Sequence, residues 1–395
     1  MTPEEVELLN QLTIIIPTCE SPENLERSIE YWRDTPVTVH IVDGSATPWF
    51  SGEQLKDLPR VTYHHFPRIG NEESWGNYCR RMREASLLPV TRYSALCADD
   101  DAFTISGLLA ILKTLESDQK IDAMIGRTAS YDRTESMPTW RVCYSDIRNS
   151  KEFRSEDVSV RLHNRHFAPW LYYGIVRTDL WRQLLQISFR YTIRRTEQLM
   201  SIVDKALCRI QLIERIVWLR QGQVWTSLHH LPVGLWPSRH TPASAIQRLL
   251  ELNRFVERRI MCRQIVIAIL HSSPDFGRLR AKRKARIATR SLILNGVFDD
   301  FRRKQRIIWR IIGLLSFIPP DIRRRITKSL PEVVSHSLGY FERAPEVAMA
   351  TKRTDLISFV SNVENSGIRL VPDEIEAFQR LLLKPRDELR LRTNI

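Results

Sequence analysis

At 395 residues, 43% of them hydrophobic and 27% charged, the chain can bury a full core, which excludes a disordered protein and suggests two domains or one large domain with an extension. Its six cysteines lie far apart with no CxxC pair, so neither a zinc knot nor a disulfide framework is encoded. The net charge of +13 is C-terminal in origin: residues 1–240 hold 29 Lys+Arg against 30 Asp+Glu, residues 241–395 hold 30 against 16, and residues 276–330 alone hold 16 against 3.

The opening MTPEEVELLNQL carries acids where a secretory leader needs basic residues before an apolar stretch, so a cytoplasmic protein is expected. LTIIIP (12–17) and VTVHIV (37–42) are short β-branched runs, and SPENLERSIEYWRD between them starts with a helix-entry signal. VTYHHF (61–66) is a further strand, residues 72–86 are helical, and RYSALC (92–97) is a fourth strand running into Asp99-Asp100-Asp101. A helix over 106–115 and a strand AMIGRT (123–128) continue the alternation. Residues 130–165 read as loop, residues 181–219 show helical periodicity, and beyond Pro242 the chain is basic and helix-like, which places a domain boundary near residue 240. The expected class is α/β: a Rossmann-like, mainly parallel, doubly wound sheet followed by a basic α-helical C-terminal region. In such sheets ligands bind beyond the carboxyl ends of the strands. No apolar run approaches the roughly 18 residues of a membrane-spanning helix.

Three strand ends carry polar groups: Pro17-Thr18-Cys19-Glu20, Asp43-Gly44-Ser45 and Asp99-Asp100-Asp101. Three adjacent carboxylates repel one another and stay ionised together only if a cation or water relieves them. Hard oxygen ligands suit Mg2+ or Mn2+, which bridge to substrate phosphates. A solvated acidic turn ahead of a helix would have the same composition.

The series TIIIPTCESPENLERSI, HIVDGS, RIGNEESWGNYCRRM and SALCADDDAF resembles, in order and spacing over residues 12–128, the family-two type of glycosyltransferases with the glycosyltransferase A fold. That resemblance implies transfer of a sugar from a nucleotide-diphosphate donor to a glycan or lipid-linked acceptor, metal-assisted and inverting. It places Pro17, Thr18 and Glu20 against the nucleobase and ribose, and gives Asp43 a hydrogen bond from the base. Asp99 and Asp101 fill the acidic positions of the DxD motif, Asp101 as direct metal ligand and Asp99 nearer the ribose or a metal-bound water, with Asp100 in the variable donor-side position. Asn77 and Arg81 are further donor-side candidates or a solvated helix face. An inverting transferase needs a carboxylate to take the acceptor's proton; Glu197, opening a helix at Thr196-Glu197-Gln198-Leu199, is the candidate, with Asp179 in reserve. Thr196 or Glu197 could instead simply support the helix N-terminus.

Phe167, Trp170, Tyr172 and Tyr173 form an aromatic cluster that serves either a sugar platform or core packing. His229, His230 and His240 could add a metal ligand or be ordinary packing groups. The basic segment 276–330 calls for an anionic partner, and its stretch FRRKQRIIWRIIGLLSFIPPDIRRRITK (301–328) fits either an interfacial helix on an anionic membrane or a buried helix with a charged outer face. Nucleic acid would satisfy the charge but leaves the strand-end acids unexplained. Sugar nucleotidyl transfer normally uses a glycine-rich phosphate loop after the first strand, where this chain has PTCESPEN.

Overall fold

The computed structural model describes residues 1–50, 52–70, 72–132, 137–143, 151–163, 173–191, 196–221, 255–289 and 354–389. The boundary expected at residue 240, the histidines at 229, 230 and 240, the aromatics at 167, 170 and 172, and the segment 301–328 lie outside the described residues.

The chain enters through helix α1 (Pro3–Asn10), started by a capping box in which Thr2 and Glu5 each satisfy the other's backbone N–H. Strand β1 (Leu12–Thr18), helix α2 (Pro22–Trp32), strand β2 (Thr38–Asp43), helix α3 (Gly52–Leu55), strand β3 (Val61–His65), helix α4 (Ser74–Ala85) and strand β4 (Tyr93–Leu96) then alternate. β1 pairs in parallel with β2 and β4, and β2 with β3. The run LTIIIPT is buried almost throughout because both faces of the sheet are covered. Ile15, Val42 and Leu96 face a cluster that includes Cys79, Met82 and Ala85 of α4. Ile14, Ile16, Val39 and Ile41 face Leu25, Ile29 and Trp32 of α2.

The second half of the sheet is mixed. It comprises β5 (Ala102–Phe103), helix α5 (Ile105–Ser117), β6 (Ala123–Asp132), β7 (Thr139–Cys143), helix α6 (Val158–His163), β8 (Ile175–Arg177), helices α7 (Thr178–Ser188) and α8 (Thr196–Leu207), and β9 (Ile210–Gln221). The sheet order is β3-β2-β1-β4-β8-β6-β9-β5, with β7 on β6. β8 runs antiparallel to both neighbours, whereas the long β6–β9 ladder is parallel, so the sheet as a whole is mainly parallel as expected.

Residues 210–219 correct the helical reading of 181–219. IQLIERIVWLRQ is β9, and its burial follows no strict alternation because Val217, Trp218 and Leu219 are buried in succession. A strand covered on both faces loses the period-2 signature that sequence reading relies on.

C-terminal helices pack on this sheet. α9 (Phe255–Ser272) and the helix over residues 278–289, α10, join the cluster of α7 and α8 through Met261, Ile265, Ala268, Ile269, Ala281, Ala285 and Ala288. α11 (Leu356–Asn365) and α12 (Pro372–Leu383) bury Phe359, Val363, Ile375, Phe378 and Leu382 against Tyr131, Trp140 and Leu219. Arg386 places both guanidinium nitrogens on the fully buried Glu26 of α2, at 2.7 and 2.9 Å.

Candidate active site

The carboxyl ends of β1, β2 and β4 come together because the three strands are parallel neighbours, and a buried arginine ties two of them. Arg81 of α4 donates one Nη1 to the carbonyls of Thr18 (2.7 Å) and Val42 (2.8 Å). It passes so close beneath Gly44 that a Cβ there would lie 2.4 Å from the guanidinium carbon, so any larger residue would displace Arg81. Asn77 donates to the Phe66 carbonyl at 3.1 Å. Arg81 and Asn77 are both buried; they are framework beneath the strand ends rather than part of a solvated helix face.

At the end of β2, Asp43 is fully buried. Oδ1 accepts from the Ser45 backbone N–H (2.8 Å) and hydroxyl (2.6 Å), and Oδ2 accepts from the Tyr63 hydroxyl. The same Ser45 Oγ accepts from the Glu20 N–H (2.8 Å) and the Trp49 indole (2.7 Å). Glu20 Oε1 in turn accepts from the Ala46 N–H at 2.9 Å. Asp43 is thus the anchor of a loop that joins the β1 and β2 ends, where Glu20, Ala46, Thr47 and Pro48 are exposed and Pro17 is half-buried. Glu20 has φ +54°, and among the described residues it alone holds a positive φ without being glycine. Such strain persists where surrounding bonds enforce it, and it concentrates at ligand sites.

At the end of β4 the electrostatics differ. Thr18 donates to Asp99 Oδ2 at 2.5 Å. Burial and the neighbouring charge of Asp100 push the Asp99 carboxyl up to about 7 against the pull of that hydroxyl. Asp101, 5% exposed, accepts from Trp218 Nε1 (3.0 Å) and the Gln221 N–H (2.9 Å), yet burial and Asp100 hold its proton affinity well above the carboxylate range. Tyr131 donates to the Asp100 carbonyl. Tyr173 stacks on Trp218 with centroids 3.6 Å apart, and Arg220 lies over the other part of this assembly, 5.3 Å from the Trp218 ring centroid. A shallow cleft opens beside the cluster, lined by Asn24, Arg27 and Ser28 of α2, the three aspartates, and Phe378 and Leu382 of α12.

The oxygen donor set is of the kind a hard divalent cation takes: carboxyls raised by burial, and next by the charge of Asp100, are what a bound positive charge relieves. Among the described residues no three His, Cys, Asp or Glu side chains form a ready-made cage.

Glu197 opens α8, while the side chains of residues 192–198 lie outside the described residues. The C-terminal end of α8 is fixed at the start of β6, where Arg209 meets both oxygens of Asp122 at 2.7 and 2.8 Å. β9 then runs back beside β6 toward Asp101. Asp179 lies elsewhere. β8 is antiparallel to β4 with Arg177 beside Tyr93, which puts Asp179, 94% exposed and paired with Arg182, at the opposite end of the sheet from Asp99. This removes it as a reserve base.

Sequence reading passed over Tyr63, Trp218 and Gln221. Trp218 and Gln221 were hidden by the misread strand β9, and Tyr63 reaches Asp43 only through the parallel register of β2 and β3.

No family model matches the chain, and no curated protein matches it. Solved structures of S. aureus TarS are similar at low identity. The TarS 1–349 structure is 11% identical with a TM-score of 0.38, covering 93% of this chain and 91% of that one. TarS 1–349 in complex with UDP-GlcNAc is 13% identical with a TM-score of 0.35, covering 74% and 92%. A longer TarS structure, also 13% identical at 0.35, is matched over 71% of this chain and 55% of its own length. Likeness at these scores assigns no activity, and the reading below rests on the site.

Proposed function

We propose that this chain is a glycosyltransferase that moves a sugar from a nucleotide-diphosphate donor to a glycan or lipid-linked acceptor, with Mg2+ or Mn2+ and with inversion. The observation that carries the reading is the pairing at one sheet edge of two unlike features: a rigid loop anchored by Asp43, and a carboxylate cluster whose proton affinity is raised for want of a counter-charge. A nucleoside placed against Pro17 and Glu20 would bring its diphosphate toward Asp99–Asp101.

In this reading each residue has a distinct task. Asp43 and Ser45 hold the Glu20 loop open to the nucleoside, so that binding does not have to order it. Thr18 fixes the Asp99 carboxylate by its hydroxyl, and Trp218 with the Gln221 N–H fixes Asp101. Asp99 and Asp101 would hold the cation, with Asp100 on the donor side; the cation would supply Lewis-acid neutralisation of the leaving diphosphate. Glu197 would accept the proton of the acceptor hydroxyl as its oxygen bonds to the anomeric carbon and the bond from that carbon to the diphosphate oxygen breaks.

The test is a thermal-shift panel of uridine, guanosine, cytidine and thymidine sugar nucleotides with and without Mn2+, with Asp99→Asn as control. Stabilisation by one donor that requires the metal and is lost in the variant is expected. Silence across the panel from folded protein would overturn the reading. Glu197→Gln should bind donor as the parent does and lose turnover; retained turnover removes Glu197 as the base.

A further inference from the structure

α10 presents an unusual outer face. It is anchored on α9 by a ridge of small residues, Ala281, Ala285 and Ala288, with Thr289 Oγ1 3.3 Å from Cys262 Sγ. Spacing of i, i+4 and i+7 defines one helical stripe. The opposite stripe therefore carries Leu279, Arg283, Arg286 and Ile287, and all four are exposed. Leu279 is 83% and Ile287 58% exposed, about 12 Å apart along the helix axis. Arg280, Lys282 and Lys284 flank this stripe, and no acid occurs between residues 276 and 289.

A charge run by itself is usually a solvated surface. Here two large aliphatic side chains stand near the two ends of the run on its exposed face, where an apolar phase would stabilise both by burying them. We infer that the outer face of α10 docks on an anionic lipid surface, with Leu279 and Ile287 entering the headgroup region and the surrounding arginines and lysines meeting lipid phosphates. Nucleic acid is the weaker fit: it rewards the cations and offers the two aliphatics no burial. Because α10 packs on α9 and α9 packs with α8 in one core cluster, the surface is rigidly joined to the helix that carries Glu197.

The experiment uses the full chain without donor or metal, so its outcome is independent of the glycosyltransferase reading. Partitioning is measured by co-sedimentation with phosphatidylcholine vesicles with and without phosphatidylglycerol. Binding only to the anionic vesicles, weakened by salt, is expected. Leu279→Ser with Ile287→Ser should lower partitioning about tenfold, and Arg283→Ala with Arg286→Ala by a similar factor. Both pairs are surface positions, so unchanged melting temperatures separate lost docking from lost fold. Equal binding to neutral vesicles would overturn the inference, as would an aliphatic variant that partitions like the parent. Retention on duplex DNA or single-stranded RNA that matches vesicle binding and ignores the aliphatic pair would also sink it, in favour of nucleic acid.

Discussion

The ends of β2 and β4 flank the same strand, β1, and each carries an aspartate, yet the two carboxylates are built for different ends. Asp43 receives three hydrogen bonds from Ser45 and Tyr63 and presents no surface. Asp99 receives one hydroxyl and lies beside two more carboxylates. A buried charge matched by donors builds structure; one left under-compensated stores a demand for a ligand. In the proposed reading, the contrast separates residues that hold the site together from residues that would do its chemistry.

The largest expected effect falls on turnover. Asp99→Asn should lower kcat/KM by about 100-fold or more, on the scale of losing one element of transition-state charge stabilisation. Near-parent turnover would break the contrast at its functional end. On stability the order reverses. Asp43→Asn should destabilise the protein by about 2 kcal/mol, since its new NH2 group faces donors where an oxygen accepted. Asp99→Asn should raise the melting temperature of the metal-free protein above pH 7, because it removes a charge that burial disfavours. Denaturant titrations of the two variants side by side would refute the comparison if both lost stability equally.

The pH dependence sharpens the same point. A carboxyl at about 7 in the fold and near 3.8 when unfolded binds its proton more tightly in the native state. Its contribution is therefore fully present below the unfolded value and is lost as pH rises through the window from about 4 to 7. Burial lowers His40, close against His64, to about 4, and this group acts in the opposite sense over the same window. The informative quantity is thus the difference between parent and Asp99→Asn melting curves: the parent should lose stability relative to the variant as pH rises, and Mn2+ should restore it.

Two smaller effects probe the supporting structure. Arg386→Ala leaves the Glu26 carboxylate buried without its bidentate partner and should cost about 2 kcal/mol, read as a lower urea midpoint. Tyr63→Phe removes one of the three donors to Asp43 and should cost about 1 kcal/mol, with donor affinity falling in step. A Tyr63→Phe protein that melts like the parent would show that the Ser45 bonds suffice.

Much of this molecule was open to reading from its residues alone. β-branched runs and helical periodicity located β1 to β4 with helices α2 and α4, because local propensity and burial agree there, while the single turn α3 was not read. The three polar strand ends followed from the alternation of strand and helix. The sequence by itself determined where the acids stand along the chain and that they must share one edge of a parallel sheet. Tertiary structure decided which of them is anchored and which is left wanting, since Asp43 meets Tyr63 across a parallel register and Asp101 meets Trp218 117 residues away. It also decided that β9 is a strand and that the C-terminal helices pack on the sheet, through contacts such as Glu26 with Arg386, 360 residues apart. The physical reason is common to these cases: a side chain's neighbours across a sheet or a core are set by long-range packing, and no periodicity along the chain records them.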